Sequence, residues 1–140
     1  MLYKDNKRAE QENQEDQSCN WNGKNILLVE DDPVSMEYFK EVLAPTRVGI
    51  LVAENGEQAL KQFGGDVSPD LVLMDIQLPD ISGLEVTREM KRVKPQIPII
   101  AQTAHAMTED REKCIRAGAD EYISKPIAID DLLVIINRFI

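Results

Sequence analysis

Residues 26–33 are Ile-Leu-Leu-Val-Glu-Asp-Asp-Pro, a four-residue apolar run followed directly by three carboxylates and a proline. A short apolar run of this kind is typical of a strand that is buried on both faces of a parallel sheet. The acidic residues then fall at the carboxyl end of that strand. Ligands of open α/β sheets bind at this end. The stretch therefore indicates both a class of fold and the edge where a site is expected.

Four further apolar runs follow, and amphipathic stretches with helical spacing separate them. The predicted strands are 26–29, 49–52, 71–74, 97–101 and 121–123. Alternating strands and helices predict a parallel sheet, and right-handed crossovers make it doubly wound. We therefore expect a flavodoxin-like α/β fold, a (βα)5 three-layer sandwich with strand order 2-1-3-4-5.

The predicted helices carry their own start and stop signals. Asp32 before Pro33 fits a helix cap followed by proline at the first helical position. Further start or stop residues are Asn55 with Gln58, Ser82 with Glu85, Thr108 and Gly118. The apolar stripe of the last helix is expected to consist of Ile129, Leu132, Ile136, Phe139 and Ile140.

Composition bounds the domain and its surroundings. Residues 1–22 are mostly polar and are expected to be a disordered leader or linker, so the folded domain is expected to span 23–140. The chain has 16 basic and 25 acidic residues, and this net charge of -9 disfavours unaided binding to nucleic acid or to a membrane surface. Without a secretory signal or a membrane span, we expect a cytosolic domain with two free thiols, Cys19 and Cys114.

Polar residues lie at the ends of four predicted strands. They are Glu30 and Asp31 after the first strand, Asp75 after the third, Thr103 after the fourth and Lys125 after the fifth. Each has an ordinary explanation alone, such as a solvated loop charge. Because the carboxyl ends of parallel strands meet at one edge, their joint placement favours a functional site.

Crowded carboxylates repel each other, which at neutral pH favours either uptake of a proton or capture of a cation, and a hard divalent ion fits best. Oxygen-only ligands indicate Mg²⁺ or Mn²⁺, whereas zinc prefers nitrogen and sulfur. Since Mg²⁺ shares its ligand positions with phosphate oxygens, Asp75 is the candidate nucleophile for an aspartyl phosphate. Lys125 and the Thr103 hydroxyl would neutralise and hydrogen-bond the transferred group. Asp32 is assigned to the helix cap and not to the metal.

Four segments match a known family in order and in spacing. They are ILLVEDDP at 26–33, LVLMDIQLPD at 71–80 followed by Ser82 and Gly83, IIAQTA at 99–104 and AGADEYISKP at 117–126. On these segments the chain resembles the receiver domains of two-component response regulators and hybrid histidine kinases. The Thr-Ala-His-Ala-Met stretch and the polar leader resemble the receiver of a hybrid sensor kinase, with a stand-alone regulator as the alternative.

The resemblance implies that Asp75 accepts a phosphoryl group from a histidine kinase or a histidine phosphotransfer domain. It implies that Asp31, Asp75 and the backbone carbonyl of Gln77 bind Mg²⁺ (or Mn²⁺), with Glu30 assisting through water. Glu30 stands where the family often has aspartate, so its reach is one methylene longer. Such a domain promotes its own phosphorylation and slow dephosphorylation, and it acts on a downstream protein or a linked domain.

The resemblance also implies a conformational switch. Thr103 would move to bond the phosphoryl group while the ring of Tyr122 turns inward. Lys125 would pair first with the acceptor carboxylate and then with the phosphoryl oxygens. The Lys125–Pro126 peptide bond is expected to be cis, which holds Lys125 toward the pocket. His105 is expected to be an exposed loop residue, with an influence on dephosphorylation as the alternative.

Three other functions remain open at this point. A phosphatase of the haloacid-dehalogenase kind places Asp-x-Asp after the first strand, whereas here the acceptor candidate follows the third. A nucleotide-binding or flavin-binding module needs a phosphate-binding loop where this chain is acidic. A receiver-like interaction module without phosphorylation is the third, although Asp75 and Lys125 are both present.

Overall fold

The computed structural model describes residues 19–104 and 108–140, and within these ranges strands and α-helices alternate. The strands are β1 (Asn25–Val29), β2 (Gly49–Ala53), β3 (Leu71–Asp75), β4 (Ile99–Thr103) and β5 (Glu121–Ser124). The helices are α1 (Pro33–Leu43), α2 (Gly56–Phe63), α3 (Gly83–Val93), α4 (Thr108–Ala117) and α5 (Ile129–Phe139), and a short 3-10 helix (Ala44–Thr46) follows α1.

The five strands form one parallel sheet in the order β2-β1-β3-β4-β5. This confirms the predicted order and the flavodoxin-like architecture. Because all strands run the same way, their carboxyl ends lie along one edge. Glu30 and Asp31 follow β1, Asp75 ends β3, Thr103 ends β4 and Lys125 follows β5.

The fourth strand lies two residues later than predicted, at 99–103 instead of 97–101. The amide of Ile97 donates to the carbonyl of Lys94, so Ile97 belongs to the turn after α3. Pro98 has no N–H to contribute to a ladder. The later register makes Gln102 and Thr103 the last two residues of β4, with Asp75 beside Gln102.

The two faces of the sheet bury separate apolar clusters, as the period of two in a strand requires. Ile26 and Leu28 of β1 face α1 and α5, whereas Leu27 and Val29 face α2 and α3. In β3, Leu71 and Leu73 belong to the α1–α5 cluster, and in β4 Ile100 does. By the same alternation, Asp75 and Gln102 lie on the α1–α5 face.

The helix caps follow the predictions with small differences. Asp32 accepts a hydrogen bond from the amide of Ser35 at 3.2 Å, and Asn55 accepts one from Gln58 at 2.8 Å. Ser82 accepts a hydrogen bond from the amide of Leu84.

Gly118 ends α4 with φ of +109°, and the amide of Ala119 donates to the carbonyl of Cys114 in a Schellman arrangement.

Two helix predictions need correction. Helix α4 begins at Thr108 itself, so Thr108 is the first helical residue and not the residue before the helix. Ile129, predicted in the buried stripe of α5, is 46% exposed because it occupies the first position of the helix beside the loop. Leu132 and Ile136 are fully buried, as predicted.

The packed domain begins before residue 23. Trp21 is only 5% exposed and belongs to the core cluster on the α1–α5 face. Its amide donates to the carbonyl of Thr46 at 2.7 Å, and its indole Nε1 donates to Asn137 Oδ1 at 2.9 Å. The predicted boundary is therefore at least two residues too late. Residues 1–18 of the predicted leader lie outside the described part of the chain.

Cys19 is half-buried, Cys114 is buried, and neither forms a disulfide. Among the described residues, none of the helices combines the length and the apolar character that crossing a bilayer requires.

Candidate functional site at the carboxyl edge of the sheet

Three carboxylates meet at the ends of the adjacent strands β1 and β3. One oxygen each from Glu30, Asp31 and Asp75 lies within 4.8 Å of the other two. Glu30 and Asp75 are buried, with 1% and 4% of their surfaces exposed, whereas Asp31 faces solvent. The sequence prediction that these three residues converge is confirmed. An oxygen-only cluster with one open side fits a hard divalent cation.

Lys125 crosses the sheet edge to reach two of these acids. Its Nζ lies 2.9 Å from Glu30 Oε1 and 3.5 Å from Asp75 Oδ2. The expected pairing with the acceptor carboxylate is present, but the closer partner is Glu30. The side chain of Glu30 is one methylene longer than that of aspartate, but the sequence did not indicate which of the two acids would lie closer to Lys125.

Burial and nearby charges shift the pKa values of Glu30 and Lys125. Burial raises the pKa of Glu30 above 4.5; the hydrogen bond from Lys125 opposes this shift, and the nearby charge of Asp75 adds to it. Burial lowers the pKa of Lys125, but its hydrogen bond to Glu30 and the charges of Asp75 and Glu30 outweigh burial, so its pKa rises above 10.5. Lys125 is therefore a cation throughout the neutral range.

Backbone amides orient the two buried carboxylates. Asp75 Oδ1 accepts a hydrogen bond from the amide of Gln77 at 3.0 Å. Glu30 Oε2 accepts one from the amide of Asp32 at 3.2 Å. Asp32 thus supports Glu30 through its backbone while its side chain caps α1. This confirms the assignment of Asp32 to the cap, because its carboxylate is engaged with Ser35.

The two predicted switch residues lie on the neighbouring strands β4 and β5. Thr103 is fully buried at the end of β4, and its carbonyl accepts from the amide of Lys125 at 2.8 Å. Tyr122 of β5 pairs in register with Ala101, and its half-buried ring packs against the cluster of Ala101 and Cys114. Alternation along β4 puts Thr103 on the face of Ala101, so Thr103 and Tyr122 share the α4 side of the sheet.

The peptide bond between Lys125 and Pro126 is cis, as expected from the resemblance. His105 lies outside the described residues, so its predicted exposure and its alternative role stay predictions.

Gln102 is a buried polar residue that the sequence reasoning did not single out. It is 0% exposed, its Cα pairs with that of Asp75, and within the described chain neither amide atom has a hydrogen-bond partner. The available signal was the polar Gln102 directly after the apolar residues Ile99, Ile100 and Ala101 of β4. Gln102 therefore places a polar side chain in the core beside β3, the strand that ends in Asp75.

Comparison with known proteins finds response regulators that are similar to this chain over most of its length. Polar-differentiation response regulator DivK of Brucella anthropi is 38% identical over 119 residues, which cover 84% of this chain and 96% of DivK. The response regulator TrrA of Thermotoga maritima, solved in complex with Mg(2+)-BeF, is 40% identical with a TM-score of 0.75, over 84% of this chain and 99% of TrrA.

A second solved structure agrees. The BeF3-activated DrrB receiver domain is 30% identical with a TM-score of 0.76, over 83% of this chain and 96% of that domain. The family model described as the response regulator receiver domain matches residues 26–137, which include every strand except the first residue of β1. The chain therefore belongs to the family of response regulator receiver domains of two-component signalling.

Proposed function

We propose that Asp75 accepts a phosphoryl group from the phosphohistidine of a histidine kinase or a histidine phosphotransfer domain. The observation that carries this proposal is the setting of the Asp75 carboxylate. It ends a buried strand, one oxygen accepts from the amide of Gln77, and the other faces Lys125. An Asp75 oxygen would attack phosphorus while the bond from phosphorus to the donor's imidazole nitrogen breaks.

The acidic cluster supports Mg²⁺ (or Mn²⁺) as the cofactor. Receiver domains bind Mg²⁺ at an acidic site, and here Glu30, Asp31 and Asp75 place oxygens within 4.8 Å of one another. Asp31, Asp75 and the carbonyl of Gln77 would hold the ion, and Glu30 would assist through water. When bound, Mg²⁺ would offset the negative charge of the incoming phosphoryl oxygens.

Lys125 would have to change partners during this reaction. Its shorter contact is with Glu30, at 2.9 Å, and the phosphoryl oxygens would compete for the same ammonium. The Thr103 hydroxyl would hydrogen-bond the transferred group, and Tyr122 would respond to that movement on the same face of the sheet. The altered surface would then control a downstream protein or a linked domain in the cytosol, and a place within a hybrid sensor kinase is one such arrangement.

The competing functions receive no support from the site. The acceptor candidate stands at the end of β3, and Glu30 at the end of β1 is held by Lys125. A haloacid-dehalogenase phosphatase would need its nucleophile at the end of β1. A nucleotide-binding loop would need a cluster of amide donors where three carboxylates follow β1.

Phosphorylation by acetyl phosphate in the presence of Mg²⁺, followed by intact mass, tests this proposal. The parent should gain one phosphoryl group that is stable in acid and labile in base. Asp75→Asn should gain none, while Asp66→Asn, an exposed acid in the loop after α2, should be labelled like the parent. Labelling of Asp75→Asn by a phosphorylated donor, or rapid turnover of many phosphate esters by the parent, would contradict the proposal.

A further inference from the structure

Asp80 joins two elements that are distant in sequence. Its Oδ1 accepts a hydrogen bond from the amide of Gly56 at 2.8 Å, and its Oδ2 accepts from the amide of Glu57 at 3.0 Å. Gly56 and Glu57 are the first two residues of α2, whose amides have no partner within the helix. Asp80 therefore caps α2 from a distant part of the sequence, while Asn55, the residue directly before α2, caps the same helix end locally.

Asp80 belongs to the segment 76–82, which we term the acceptor loop because it directly follows Asp75. The base of this loop is closed by backbone, since the amide of Gly83 donates to the carbonyl of Ile76 at 3.0 Å. Near the base, the amide of Gln77 donates to Asp75 Oδ1. The tip of the loop is held differently, through the side chain of Asp80.

The tip and α2 approach each other closely because residue 56 is a glycine. A Cβ at Gly56 would lie 3.1 Å from Ile81 Cβ and 3.3 Å from Asp80 Oδ1. The amino end of a helix carries a partial positive charge, which favours a carboxylate at this position. The two amides also lower the pKa of the exposed Asp80 carboxyl, so the carboxyl stays ionised at neutral pH.

We propose that Asp80 is a positioning residue for the phosphoacceptor site: by clamping the tip of the acceptor loop onto α2, it holds Gln77 and Asp75 in the arrangement that receives Mg²⁺. This inference rests on the proposed function, since Mg²⁺ binding at Asp75 is part of that function. The clamp acts through the loop, because the Asp80 carboxylate is engaged with α2 and not with the acidic cluster.

The alternative role of Asp80 is purely structural, as an ordinary helix cap. The chain offers a matched control, because Asn55→Ala removes a cap from the same end of α2 without touching the acceptor loop. Glu57→Gln removes one negative charge from the same helix end and leaves its backbone amide in place. Asp80→Asn keeps an amide oxygen that can accept one of the two hydrogen bonds.

The experiment compares the parent with Asp80→Ala, Asp80→Asn, Asn55→Ala and Glu57→Gln. For each protein, calorimetry measures the Mg²⁺ dissociation constant and urea unfolding measures the midpoint. Asp80→Ala should weaken Mg²⁺ binding by about tenfold, as expected for a residue that orients metal ligands. Asp80→Asn should fall between Asp80→Ala and the parent. Asn55→Ala should lower the urea midpoint as Asp80→Ala does, yet Asn55→Ala and Glu57→Gln should keep Mg²⁺ binding within about twofold of the parent.

A readout without metal completes the test. In chelator, hydrogen exchange at the amides of Gln77 and Gly83 should be faster in Asp80→Ala than in Asn55→Ala, because only the first variant releases the loop. Equal exchange and equal Mg²⁺ affinity in these two variants would overturn the clamp and leave a simple cap. If the parent itself failed to bind Mg²⁺, the proposed function would fail, which is a distinct result.

Discussion

Lys125, which follows β5, donates a hydrogen bond to Glu30, which follows β1, over 2.9 Å and across the ends of β3 and β4. Glu30 is fully buried at this contact, and its second oxygen accepts from the amide of Asp32. The pair joins the two sides of the acceptor residue, and its charges decide how the site responds to metal and to pH.

Replacing Glu30 should weaken the metal site. Glu30→Gln removes one of three clustered charges and releases Lys125 toward Asp75, so the Mg²⁺ dissociation constant should rise about tenfold. Calorimetric titration at neutral pH measures it. Glu112→Gln, an exposed change on α4, should bind Mg²⁺ like the parent. Unchanged affinity in Glu30→Gln would show that Glu30 has no part in holding the ion.

Removing Lys125 should make stability depend more steeply on pH. The pKa of Glu30 is already raised above 4.5 in the folded parent. The stabilisation that comes from protonating Glu30 is therefore complete below pH 4.5 and is lost as the pH rises through the folded pKa. Lys125→Met removes the hydrogen bond that opposes this shift and leaves Glu30 buried beside Asp75. We expect a loss of about 3 kcal/mol at pH 7 and a smaller loss at pH 5.

Urea unfolding in chelator at the two pH values measures this difference. Lys61→Met, an exposed change on α2, serves as the control and should follow the parent at both values. A loss that is the same at pH 5 and pH 7 would mean that protonation of Glu30 does not relieve the missing cation.

Adding one methyl group at Gly83 should disturb the backbone at the end of β3, where Asp75 lies. A Cβ at Gly83 would lie 2.5 Å from the carbonyl oxygen of Asp75, so backbone atoms would have to move. Gly83→Ala should lower the unfolding free energy by about 2 kcal/mol and slow phosphorylation by acetyl phosphate.

Gly64→Ala is the matched control for that substitution. Among the described residues, the nearest contact of a Cβ at Gly64 would be Leu60 O at 3.7 Å, and the φ of Gly64 is -93°, which any residue adopts. Its unfolding free energy should stay within about 0.5 kcal/mol of the parent or rise. Similar losses in both alanine variants would show that crowding behind Asp75 is not the cause.

Trp21 should contribute to stability through both its ring and its N–H. Trp21→Ala should cost about 3 kcal/mol because it leaves a cavity in the core cluster. Trp21→Phe keeps most of the apolar contact but loses the hydrogen bond to Asn137, so about 1 kcal/mol should be lost. Urea unfolding followed by circular dichroism measures both. Parent-like stability in Trp21→Ala would place the domain boundary after residue 21.

Much of the fold was accessible from local pattern. Apolar runs near 26–29 and 71–74 are short, continuous and followed by acidic residues, so strand type and strand order follow from periodicity and from the handedness of crossovers. The bounds of β4 were predicted less well because Ile97 is as apolar as Ile99, although Pro98 between them was a signal that the strand begins after the proline. Trp21 was assigned to the leader because its neighbours in sequence are polar, and a single apolar residue gives no periodic pattern.

The sequence by itself determined that carboxylates from two strand ends, a threonine and a lysine meet at one edge, because parallel strands bring their carboxyl ends together whatever the side chains are. Tertiary structure alone decided which charge meets which: that Lys125 lies closer to Glu30 than to Asp75, and that Asp80 reaches the first amides of α2. These pairings depend on distances of a few tenths of an ångström between residues far apart in the chain, and no spacing in the sequence encodes such distances.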